Sequence, residues 1–142
     1  MNQGIIFAIL AACAFGFWTV FHQQASSYIN QVFGAIIVSL TAVILGLFFL
    51  LPGIKSKELY TNPKGIFFLM LAGLCAFAID YFALKAYGTG LKISVGGPII
   101  IGGSVAIAAI IGLFLGESFS IAKAIGILMV LVGSIVLSLL SK

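Results

Sequence analysis

Residues 92–120 read KISVGGPIIIGGSVAIAAIIGLFLGESFS. From Ile93 to Leu115 the stretch is apolar enough to cross a bilayer, and as a helix it would extend about 34 Å, enough for one crossing. It is punctured by Gly96, Gly97 and Pro98, then by Gly102, Gly103 and Ser104, and it stops at Gly116-Glu117. Proline removes a backbone donor and clashes one turn back, and paired glycines lower the cost of bending. In lipid such a break persists only where it packs against protein or lines a wet cavity. Broken helices are what transporters place at midplane sites. The stretch therefore predicts a helix break at Gly96, Gly97, Pro98, Gly102 and Gly103, with Pro98 at a binding site. Two half-helices in a hairpin would each be too short to span, which leaves one kinked crossing.

The surrounding chain has the composition of a membrane protein. Of 142 residues, 63% are hydrophobic and 7% charged, against about 25% charged in soluble domains. Mean hydropathy is +1.32. All seven basic residues are lysine, and the net charge of +4 forms no run that would read as a nucleic-acid patch. Cys13 and Cys75 fall inside apolar spans without a CxxC pattern, so they read as buried free thiols. The start of the chain lacks a charged segment before Gly4–Leu10. Despite the lipoprotein-like Leu10-Ala11-Ala12-Cys13, it reads as an uncut helix.

Five spans follow, at about 4–21, 32–51, 65–86, 93–115 and 120–140, joined by short connectors that make successive helices antiparallel neighbours. The expected fold is an all-α membrane unit over residues 1–142. With five spans, Lys55, Lys57, Lys64 and Lys123 lie on the side of the N-terminus, and Lys85, Lys92 and Lys142 lie opposite. The excess favours the N-terminus inside, and its smallness permits insertion both ways.

Asp80 is the acid well inside a span, and an intramembrane carboxylate is a functional candidate by default. It reads equally as an interfacial anchor near the exit of its helix. Lys85, five residues on, has a poor spacing for an ion pair. Phe77, Leu84 and Tyr87 share the Asp80 stripe and Tyr81 flanks it. Aromatic rings beside a carboxylate suit an organic cation, or else form an interfacial belt, the better reading for Tyr87. On the first span Ala11, Phe15, Trp18 and His22 share a face. His22 is a second titratable candidate for proton coupling, although a histidine at a span's end is more commonly interfacial. Thr19 and Gln23 are weaker candidates of the same kind. Small residues recur at Ala108, Gly112 and Gly116, and Gly126 and Gly133 make a ridge over two turns of the last span. That ridge fits packing within the chain or between copies. No nucleophile–base pair, phosphate loop or pair of close carboxylates is present, so no enzyme, cofactor or metal site is expected.

The runs ALKAYGTGLKISVGGPIIIGG and GLFLGESFSIAKAIGILMVLVGSIVLSLL resemble the carboxyl half of an EamA-like unit of the drug/metabolite transporter superfamily. The marks are Ala83-Leu84-Lys85, Pro98, Gly116-Glu117, and Gly126 with Gly133; the first half agrees in span number and in Trp18. The last two spans are also similar to the end of small multidrug resistance proteins, whose Gly-x6-Gly ridge makes a dimer contact, implying Gly126 and Gly133 as counterparts. Those proteins carry a coupling glutamate in the first helix, where Ala12 stands here. The resemblance implies half of an inverted-repeat ten-helix transporter, completed by a second, inverted copy.

The sequence thus predicts a transporter subunit of the cytoplasmic membrane, an alternating-access antiparallel homodimer moving amphipathic metabolites, amino acids or organic cations, with antiport among its modes. Phe15, Trp18, His22, Phe77, Asp80, Tyr81 and Pro98 are the expected solute-binding residues, and Asp80 and His22 the coupling candidates. A flippase subunit for a lipid-linked headgroup, or a non-transporting membrane scaffold, are the alternatives.

Overall fold

The computed structural model describes residues 3–53, 63–118 and 120–139. They form helices α1 (Gln3–Ala25), α2 (Gln31–Gly53), α3 (Pro63–Gly88), α4 (Ile93–Phe114) and α5 (Ile121–Leu139). The first four are long and apolar enough to cross a membrane; α5 is the shorter apolar helix. Among the described residues there is no strand. The architecture is that of an all-α membrane protein, with helix limits close to those expected. Lys55, Lys57 and Lys142, which enter the lysine tally, lie outside the described residues.

The helix ends are made by local chemistry. Asn30 caps α2, its Oδ1 accepting from the backbone N–H of Val32 at 3.0 Å and of Phe33 at 3.3 Å. At the end of α4 the N–H of Glu117 donates to the carbonyl of Gly112 at 3.0 Å, and that of Gly116 to Leu113 at 3.1 Å. This is a Schellman stop, and it needs the positive φ of 82° that Gly116 adopts. Ser120 then opens α5, its Oγ accepting from the N–H of Lys123 at 3.2 Å.

Contacts gather into two compact units, Met1–Phe21 with Thr89–Lys142, and His22–Gly88. In the first, α4 packs on α5. Ser134 is buried at their contact, its Oγ 2.8 Å from the carbonyl oxygens of both Pro98 and Val130, which share its proton. Gly102 faces it, and a side chain there would overlap the Ser134 hydroxyl. In the second, α2 packs on α3 around Leu84, which is buried. A Cβ on Gly34 would come within 2.6 Å of the Leu84 Cδ1, so the missing side chain is what lets the two helices approach.

Two expectations are corrected. The glycine–proline run does not break the span: α4 is continuous through Gly96, Gly97, Pro98, Gly102 and Gly103. Pro98 removes one helical hydrogen bond, the one to the Ser94 carbonyl. The turn before it is already closed by the N–H groups of Val95 and Gly96 on the Lys92 carbonyl, at 3.0 and 2.9 Å. The two cysteines are also not buried; Cys13 and Cys75 are exposed on the surfaces of apolar helices. In a bilayer such a surface faces hydrocarbon, so exposure there carries no hydrophobic cost.

Candidate functional site

The second unit brings His22, in the last turn of α1, to Asp80 of α3. The imidazole Nε2 lies 3.1 Å from the carboxylate Oδ1, with the two side chains 4% and 8% exposed. A buried charge must be paired, and a buried imidazole needs a polar neighbour to fix its orientation. Each residue supplies what the other lacks. Asp80 sits well inside α3, about 12 Å of helix rise before Gly88 and about 26 Å after Pro63.

Asp80, Ala83, Leu84 and Tyr87 are the buried face of α3, spaced as one stripe of a helix. Leu84 fills the space opposite Gly34, with Ala35 fully buried nearby in sequence. One turn past His22, the Ser26 hydroxyl donates to the Gln23 carbonyl at 2.8 Å. A Cβ on Gly88 would stand 3.5 Å from the Ser26 carbonyl oxygen and 3.6 Å from Gln31 Nε2, so the end of α3 lies close against the end of α1. Tyr87 is 3% exposed, and its hydroxyl has no hydrogen-bond partner among the described residues.

Phe77 leaves the stripe and is 38% exposed. Tyr81 is half-buried, edge-on to Phe82 at 5.1 Å, with the Lys85 ammonium 5.8 Å from its ring centroid. The cation over Tyr81 is therefore the chain's own.

In the first unit Phe15 and Trp18 are half-buried and stacked, their centroids 5.0 Å apart. Thr19 is buried and donates to the Phe15 carbonyl at 2.8 Å. It reaches α4 at Gly97, where a Cβ would stand 3.4 Å from the Thr19 methyl. Pro98 borders an open groove of about 430 Å³ that also touches Gly16, Thr19, Gly102, Gly133 and Ser134. Its hydroxyls are turned onto backbone carbonyls, so the groove is apolar. A second groove of about 340 Å³ runs past Gly126 to Glu117 and Lys123, whose ammonium donates to the Ser118 carbonyl at 2.8 Å. Gly126 and Gly133 are exposed, with nothing within 4 Å of an added Cβ.

The chain matches the EamA-like transporter family over residues 2–139. It belongs to that family. No curated protein and no solved structure matches it. The chain is accordingly a multi-pass membrane transporter of the drug/metabolite type.

Of the residues expected to bind solute, the transporter pairs His22 with Asp80 and stacks Phe15 on Trp18, but these contacts belong to different units. Pro98 lines the apolar groove, and Phe77 turns outward. Tyr87 is no belt residue: it is 3% exposed and shares the buried stripe of α3 with Asp80, Ala83 and Leu84. Ser26 and Ser134 were not legible as buried polar positions. Small polar residues in apolar helices carry no periodic signal of their own; in Ser134 the clue is its place four residues after Val130, opposite a glycine of α4.

Proposed function

We propose that the chain is one half of a small-solute transporter, working by alternating access and completed by a second, inverted copy, with His22 and Asp80 as the solute- and proton-handling centre. The observation that carries this reading is the buried pair at 3.1 Å inside apolar helices. Charges are expensive at such depth and are retained where a solute or proton path uses them. The carboxylate is the natural partner of an organic cation: a solute ammonium that takes Asp80 displaces His22, and departure of the solute restores the pair. Proton and solute thus compete for one centre, which is the requirement for exchange. Amphipathic amines, amino acids and metabolites of similar size are the solutes such a centre takes.

The test is flux in proteoliposomes, with 2-phenylethylamine as an amphipathic amine and a trapped pH dye reporting proton movement. Amine added against an imposed pH gradient should release protons through the wild type, and Asp80→Asn, which keeps the shape without the charge, should lower that coupled flux at least about tenfold. Equal coupled flux in wild type and Asp80→Asn would sink the reading. A scaffold subunit would give no flux in either.

A further inference from the structure

The Tyr87 hydroxyl is the one feature of this face that the pairing of His22 and Asp80 leaves unused. Building on the proposed role of that pair, we infer that Tyr87 is a second solute contact, and that it selects amphipathic amines carrying an oxygen close to the ammonium, amino alcohols above all. The phenol is 3% exposed and its oxygen meets no partner among the described residues. A phenylalanine would fill the same space without a polar atom to satisfy, and a buried hydroxyl left unmet is unfavourable. Packing alone therefore accounts for the ring and not for the oxygen.

Position points to what the oxygen serves. Two contacts fix how the end of α1 lies along α3: His22 at Asp80, and the Ser26 carbonyl at Gly88. Tyr87 lies on α3 between these two contacts, one residue before Gly88. It is on the Asp80 stripe, two helical turns on. Aromatic side chains on a helix lean toward its N-terminus, which carries the phenol back over Ala83 and Leu84 toward the carboxylate. The Ser26 hydroxyl and Asp80 are engaged elsewhere, on the Gln23 carbonyl and with His22. A solute whose ammonium takes Asp80 brings its adjacent substituent into the strip that Tyr87 overlooks. The phenol both donates and accepts, so a hydroxyl there is bonded and a bare methylene strands the phenol. Sites that hydrogen-bond a solute hydroxyl reject the analogue lacking it more sharply than apolar pockets reject an added group.

The experiment compares 2-amino-1-phenylethanol with 2-phenylethylamine, which differ by one hydroxyl, by calorimetric titration of the purified protein in micelles. Wild type should bind the amino alcohol about tenfold more tightly, the scale of one hydrogen bond met against unmet. Tyr87→Phe should bring the ratio to about one while leaving the melting temperature unchanged or higher, since it removes an unmet buried group. Equal binding of the two amines by wild type, which needs no variant, overturns the inference and leaves the Asp80 site standing. A preference that survives Tyr87→Phe overturns it as well. If the folded wild type binds neither amine, the solute site at His22 and Asp80 falls, and Tyr87 with it.

Discussion

Breaking the His22–Asp80 pair from one side should cost more than breaking it from both. At 3.1 Å, an imidazolium and a carboxylate would attract by about 5 kcal/mol in an effective dielectric near 20. Loss of hydration offsets most of that, so the intact pair is worth little against an apolar replacement. Removing one partner is different, because the other stays buried without compensation. Both side chains are under a tenth exposed, so solvent does little to screen the stranded group. Asp80→Ala or His22→Ala should therefore destabilise by about 3–5 kcal/mol each, and the double variant by much less than the sum. The coupling energy should exceed about 2 kcal/mol, against a mean near 0.6 kcal/mol for ordinary hydrogen bonds between membrane helices. Reversible unfolding in mixed micelles, titrated with a denaturing detergent, measures all four corners of the cycle. Single effects that add to within about 0.5 kcal/mol would show that the two groups act independently, and would remove the ion pair from the account of the site.

Three further outcomes can be checked. Gly102→Ala should cost about 1–3 kcal/mol by overpacking against Ser134, and Ser134→Gly in the same chain should recover much of it in the same unfolding assay. Gly126→Leu and Gly133→Leu meet nothing within 4 Å of the new Cβ, so each protomer should melt as wild type. Self-association measured by energy transfer between labelled copies in liposomes should weaken if a partner covers that face, and unchanged association would put the contact elsewhere. Reporters fused to the C-terminus should reveal both orientations in the same cells, given the lysine balance of four to three; a single orientation, insensitive to moving one lysine across, counts against an inverted pair.

The helices were legible in the sequence because hydrophobic length is a strong signal and Pro52-Gly53, Tyr87-Gly88-Thr89-Gly90 and Gly116-Glu117 punctuate it. Asp80 and His22 were legible one at a time, as ionisable residues in apolar surroundings. Their meeting was not, because 58 positions separate them and no local periodicity encodes which helix faces which. Tyr87 was misread for a related reason. A tyrosine near the end of a span has the same composition signal whether it faces headgroups or a neighbouring helix, and the Gly88 contact with Ser26 decides it. The continuity of α4 shows the converse error: proline and glycine lower the cost of a bend without compelling one.

The bond from Ser134 to the Pro98 carbonyl also bears on how the last two helices enter the bilayer. Three residues separate the Schellman stop at Gly116 from the cap at Ser120, so α4 and α5 would leave the insertion machinery as one hairpin. Apolar faces alone allow such a hairpin to slide by a turn at small cost, since hydrocarbon contacts are interchangeable. A hydroxyl that finds a particular carbonyl 36 residues away, beside a glycine whose added Cβ would overlap it, favours that alignment over its neighbours. Ser134 would thus bias the hairpin toward one register within a single copy of the chain.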